Sequence, residues 1–82
     1  MVTFVPHAAL AALLGEAVIQ MEAPTVGALI EEIARRVPPA DWAQARRVTL
    51  LLNGRNVHQL QGMRTPLRDG DQLWMIVPSG GG

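Results

Sequence analysis

Only one stretch of this chain carries a sustained helical period, and that limits the folds open to it. After Thr25, a good N-cap residue, the apolar residues Val26, Leu29, Ile30, Ile33 and Val37 recur every three or four positions. That spacing places them on one face of a helix. Glu31, Glu32, Arg35 and Arg36 fall on the other side, acids before bases, the order the helix dipole favours. Pro38-Pro39 ends the helix, and Gly27 in its first turn should weaken it slightly. The rest of the chain is dominated by β-rich runs. Residues 2–5 stop at Pro6, 17–22 close at Pro24, and 48–52 lead into Asn53-Gly54, a strong hairpin signal. Residues 55–58 and 73–77 complete the set, the last stopped by Pro78.

A single amphipathic helix can cover only one face of a sheet. The order β-β-α-β-β-β therefore predicts an α+β two-layer domain, with a mixed sheet of about five strands and one principal helix. Residues 8–14 and 41–46, the latter anchored by Trp42, predict no more than short turns of helix. The unalternating run 48–52 predicts a central strand covered on both faces. Pairing the first strand with the last, mid-sheet, would tie both chain ends into one core.

The chain has 82 residues, and 49% of them are hydrophobic, enough for one small core. Seven arginines balance seven acids, so the basic excess of a nucleic-acid binder is missing. There is no lysine, hence no side-chain amine to accept an acyl group. There is no cysteine, hence no disulfide, thiolate metal site or thiol nucleophile. No apolar run approaches the ~20 residues of a membrane span, and no signal peptide is apparent, so the expected location is the cytoplasm. His7 and His58 stand alone and read as surface or edge histidines rather than metal ligands. Asp69 and Asp71 flank a glycine and read as turn residues. Catalytic constellations and phosphate-binding glycine loops are missing.

The remaining candidate is the end of the chain. The domain is expected to span 1–78, with 79–82 a flexible Gly-rich tail. The β-rich run 73–77 passes through Pro78 and Ser79 into Gly80-Gly81-Gly82. Five extended residues from Pro78 span up to ~17 Å. A backbone without side chains can enter a narrow channel and place its carboxylate beside a reagent.

These features, taken together, resemble a known family. Residues Thr65-Pro66-Leu67-Arg68-Asp69-Gly70-Asp71-Gln72-Leu73, then a strand, a proline and a terminal Gly81-Gly82, are similar to the MoaD/ThiS family of ubiquitin-like sulfur carriers. Pro24-Thr25-Val26-Gly27-Ala28-Leu29 resembles the start of that family's helix. Leu52-Asn53-Gly54-Arg55-Asn56-Val57 resembles its hairpin. Two departures are a third terminal glycine and Val77, where many members have proline. The resemblance implies a β-grasp, ubiquitin-like fold and a carrier or non-catalytic small subunit rather than an enzyme. It implies that an adenylating partner of the ubiquitin-activating type uses ATP and Mg to adenylate Gly82. A persulfide donor would then supply sulfur to give a thiocarboxylate, and a sulfur-accepting synthase subunit would take it. The carrier itself would bind no cofactor or metal.

The length, the Trp42 segment and the long 59–66 loop suit molybdopterin-type and cysteine-type carriers of that family better than short thiazole-type ones, and molybdopterin-type carriage is ranked first. Carriage for cysteine, thiamin or another thio-metabolite, and a protein-modifier role, stay open. A different class is a β-grasp module that works by non-covalent contact alone. Partner contact is assigned to Gly80, Gly81, Trp74, Ile76 and Leu51. Alternation sets Trp74 and Ile76 opposite Leu73, Met75 and Val77, and the helix can cover only one of those faces.

Overall fold

A computed structural model of the chain describes residues 1–78, so the expected tail at 79–82 lies outside the described residues. The first strand, β1, is Val2–Val5, and α1 follows at Ala8–Leu14. Next come β2 at Ile19–Met21, α2 at Val26–Ala34 and α3 at Pro39–Ala45. Strand β3 is Thr49–Leu52, β4 is Arg55–Asn56 and β5 is Gln72–Ile76. Two short 3-10 turns, Val57–Gln59 and Gly62–Arg64, lie in the long connection between β4 and β5.

The sheet order is β2-β1-β5-β3-β4. Strand β1 pairs parallel with β5 (Phe4 with Leu73), and β5 pairs antiparallel with β3 (Leu50 with Met75). The first and last strands thus meet in mid-sheet, and β5 is the central strand. This mixed sheet with α2 across it is the β-grasp, ubiquitin-like architecture.

The principal helix forms for the reasons its sequence suggests. The Thr25 hydroxyl accepts from the Ala28 N–H at 3.2 Å and caps it. Val26, Leu29 and Ile33 are fully buried, and Ile30 packs partly buried against them. Beneath lie Phe4, Leu73, Leu50 and Met75. The Asn53-Gly54 turn has φ of 50° and 86°, the doubly positive pair of a type I′ hairpin.

Four expectations need correction. Residues 8–14 form two full turns of helix, because Leu10 is fully buried in the core and both ends are capped. The segment around Trp42 is likewise a helix, α3, started by Pro39 at its first position. Strand β3 is not covered on both faces: Leu50 and Leu52 are buried, while Thr49 and Leu51 face the uncovered side. The expected strand at 55–58 shrinks to two residues. The Asn56 side chain accepts from the His58 N–H at 2.9 Å and turns the chain into a 3-10 turn.

Gly27 serves close packing rather than merely weakening α2. A Cβ at this position would lie 3.0 Å from the Met63 carbonyl oxygen. The connection carrying Met63 is pinned to the helix start, where the Val26 N–H donates to the Thr65 carbonyl at 3.0 Å. Thr65 is buried, and its hydroxyl donates to the Gly62 carbonyl at 2.7 Å while accepting from the Gln61 N–H at 3.0 Å.

Candidate functional site

Strand alternation divides β5 into two sets. Leu73 and Met75 are 0% and 4% exposed, whereas Trp74 and Ile76 are 43% and 39% exposed. Trp74 lies opposite Leu51 on one side and Val5 on the other, and Ile76 lies opposite Thr49. Leu51 and Val5 are half-buried. Three of the five residues assigned to partner contact, Trp74, Ile76 and Leu51, therefore share one sheet face, and Val5 joins them. The indole N–H of Trp74 donates to Gln72 Oε1 at 3.3 Å, tethering the ring along its own strand. An indole and several aliphatic side chains clustered on an uncovered face form the kind of patch that marks a binding surface.

Val77 departs from the expected alternation. Alternation groups it with Leu73 and Met75, yet it is 58% exposed, because β5 ends at Ile76. Val5 carried a readable signal, since Val2 and Phe4 point inward and Thr3 and Val5 outward along β1. Its place beside Trp74 depends on the parallel β1–β5 pairing, which periodicity does not reveal.

The turn before β5 fixes where the central strand starts. Gly70 has φ of 91°, and the Asp71 N–H donates to the Arg68 carbonyl at 3.0 Å. The Asp71 carboxylate accepts from the Arg68 N–H at 2.8 Å and from the Asn53 side-chain amide at 3.0 Å. Asn53 Oδ1 in turn accepts from the Gln72 N–H at 2.9 Å. These contacts lock the β3–β4 turn to the start of β5, and Asp71 acts as the local turn residue its spacing suggests. Asp69 forms an ion pair with the Met1 amino group, which also lies 3.3 Å from Glu22. The hydrogen bond and charge of the ammonium hold the Asp69 carboxyl below the usual aspartate range, and Asp69 raises the Met1 amine.

His7 has a structural role that the sequence reading missed. Its Nδ1 accepts from the Leu10 N–H at 3.2 Å, capping α1, which leaves Nε2 as the donor to the Ala45 carbonyl at 3.1 Å. The imidazole thereby joins the start of α1 to the end of α3. His58 is exposed. Among the described residues no group of three or more His, Cys, Asp or Glu is placed to hold a metal ion. No helix among them is long and apolar enough to cross a membrane. Gly80, Gly81 and Gly82 lie outside the described residues. Within those residues, the apolar sheet face and the strand that runs into the tail are the strongest features.

A family model described as the ThiS family matches residues 7–82. No curated protein matches the sequence significantly. Among solved structures, the chain is similar to one in the Amycolatopsis orientalis BexX/CysO complex, with 22% identity, full coverage of both chains and a TM-score of 0.81. It is similar to the small archaeal modifier protein 1 (SAMP1) of Methanosarcina acetivorans at 20% identity, covering 99% of this chain and 95% of that one, with a TM-score of 0.80. Mycobacterium tuberculosis CysO gives 19% identity, 94% and 98% coverage and a TM-score of 0.78. At these identities the likeness speaks for the ubiquitin-like fold.

Proposed function

The chain belongs to the ThiS family, and on that premise we propose that it is a ubiquitin-like sulfur carrier whose working group is the Gly82 carboxylate. One observation supports this most: the central strand β5 buries Leu73 and Met75, presents Trp74 and Ile76, and then leads directly into residues 77–82. The core thus anchors the base of the tail, and the same strand offers a surface on which a partner can seat.

The chemistry needs little from the carrier's side chains. A partner enzyme of the ubiquitin-activating type binds ATP and Mg. The Gly82 carboxylate attacks the α-phosphorus, pyrophosphate leaves, and an acyl adenylate results. Sulfur from a persulfide donor then displaces AMP at the acyl carbon, and a thiol releases the terminal thiocarboxylate by reduction. A sulfur-accepting synthase subunit consumes it. This is covalent activation divided among partners. With neither lysine nor cysteine, the chain has no side-chain amine or thiol to intercept its own activated end.

Among pathways, molybdopterin synthesis is our first assignment. The chain's length, the Trp42 helix and the long connection between β4 and β5 support it over a thiazole-type carrier, and support cysteine-type carriage equally. A second reading, protein modification, has support from the likeness to a protein named as a small archaeal modifier. In that case the acyl group would pass to an amine on another protein.

A C-terminal series tests the proposal. Deleting Gly82, or adding one residue after it, is expected to abolish adenylation with thermal stability unchanged, because a displacement of ~1 Å can cost ~10²-fold in rate. Gly81→Ala is expected to charge poorly and Gly80→Ala to be the mildest. Full charging of the Gly82-deleted chain would refute the carrier reading.

A further inference from the structure

The residues just before β3 carry two charges that the carrier chemistry does not use. Arg46 is the C-cap of α3, and its N–H donates to the Trp42 carbonyl at 2.9 Å. The Arg47 N–H donates to the Gln44 carbonyl at 3.3 Å, and the Val48 N–H to the Arg46 carbonyl at 2.9 Å. Two consecutive arginines are thus mounted on a hydrogen-bonded turn rather than a free loop. The ladder fixes where that turn lies. Thr49 pairs with Ile76, the last residue of β5, and the two strands are antiparallel. Residues preceding Thr49 therefore lie at the end of the sheet from which 77 and 78 depart. Arg46 also borders a cleft of about 350 Å³ with Glu31, Trp42, Val48 and Met75, on the helix side of β5, and Glu31 is too far from it to form an ion pair.

Both arginines are exposed. Arg35 and Arg36, just past the end of α2, are ion-paired with Glu32, but among the described residues neither Arg46 nor Arg47 pairs with a carboxylate. Asp41, the nearest acid along α3, is in its first turn, about 7–8 Å away along the helix axis. A cation at the end of α3 is favoured by the helix dipole. That role is internal to the domain and independent of any partner.

We infer that Arg46 and Arg47 form a docking collar at the base of the tail, pairing with an acidic surface on the enzyme that activates Gly82. The inference rests on the carrier reading above. The apolar patch of Trp74, Leu51 and Ile76 supplies contact that is not directional. Such a patch alone leaves the partner free to rotate about it. Two cations at the end of the sheet from which residues 77 and 78 leave β5 set which end of the partner's surface lies over the tail. Charges at the rim of an interface act on encounter rate and register more than on final affinity.

The test is steady-state adenylation of the full chain by a purified ubiquitin-activating-type enzyme from the same source. Wild type, Arg46→Gln/Arg47→Gln and Arg46→Lys/Arg47→Lys are compared from about 20 to 300 mM salt, a range that spans strong to weak screening. The glutamine pair is expected to raise KM for the carrier about 5–10-fold at low salt, with kcat within about twofold and the difference vanishing at high salt. The lysine pair is expected to stay within about twofold of wild type, since it keeps both charges. Unchanged KM and salt dependence in the glutamine pair, with the wild type charged normally, would overturn the collar and leave the carrier reading standing. A lowered Tm with unchanged salt dependence would likewise overturn it, reducing the pair to a helix cap. Failure of the wild type to be adenylated would overturn both.

Discussion

Replacing Gly27 with alanine sets two effects of known size against each other. Alanine is favoured over glycine within a helix by about 0.8–1 kcal/mol, so on local grounds the change should stabilise α2. The added Cβ, however, would meet the Met63 carbonyl oxygen at 3.0 Å and the Met63 Cβ at 3.2 Å. Both are inside comfortable contact, so the turn at Gly62–Arg64 must retreat by a few tenths of an ångström. That turn is poorly placed to yield. Buried Thr65 ties it through bonds to Gly62 and Gln61, and the Thr65 carbonyl holds the Val26 N–H of the helix itself. Overpacking of this kind costs about 1–3 kcal/mol. The balance predicts a net loss of about 0.5–2 kcal/mol for Gly27→Ala. In a domain this small each kcal/mol lowers Tm by about 4–8 °C. Thermal and urea unfolding followed by circular dichroism measure it. In a double-mutant cycle, Thr65→Val should reduce the penalty by loosening the turn. A Gly27→Ala protein more stable than wild type would show that the turn yields freely and would refute the reasoning.

Other outcomes follow from the same geometry. Ile33, fully buried under the sheet, should cost about 2–5 kcal/mol on truncation to alanine, read as a lower urea midpoint at unchanged m-value. Trp74→Ser should leave the unfolding midpoint nearly unchanged, because the indole is 43% exposed, yet weaken binding to the activating enzyme by about 2 kcal/mol or more in calorimetry. The carboxyl of Asp69 should titrate below the usual aspartate range by NMR. Its contribution to stability is then present above that range and lost as pH falls through the depressed value. The Met1 amine is raised, so its share is present below the usual amine range and lost as pH rises through the raised value. Acetylating the amino group should return Asp69 to its ordinary range.

The parts of the fold legible in the sequence are those whose signal is local. The period from Val26 to Ile33 gave α2 its buried face, although the helix ends at Ala34 and not at Pro38, leaving Val37 buried beyond it, and the Asn53-Gly54 pair gave the type I′ turn. Alternation along 73–77 correctly set Leu73 and Met75 against Trp74 and Ile76, but it has no information on where pairing stops, and Val77 lies past the end of β5 and is exposed. What local signals missed depends on tertiary contact. A seven-residue helix such as α1 is marginal alone and persists here through Leu10 burial and the His7 cap. The leucines of β3 read as doubly buried because an apolar run looks the same whether its second face meets a helix layer or is left open. Only the two-layer architecture shows that Leu51 lies on the open face, opposite Trp74. The 57–71 connection has no periodicity at all, since its form comes from the side chains of Asn56 and Thr65 and from the close approach to Gly27. At the candidate site, the residue types were readable, whereas the addition of Val5 required the β1–β5 register.

The central claim is that Gly82 carries sulfur, and the intact mass of the chain tests it most directly. The purified protein is incubated with ATP, Mg, a ubiquitin-activating-type enzyme, a persulfide donor and a thiol reductant, then measured by mass spectrometry. Exchange of one oxygen for one sulfur predicts a gain of ~16 Da, with fragmentation placing it on the C-terminal residue and the Gly82-deleted chain unchanged. A wild-type mass that does not move under conditions where the enzyme charges another carrier, or a gain that maps elsewhere in the chain, would contradict the account.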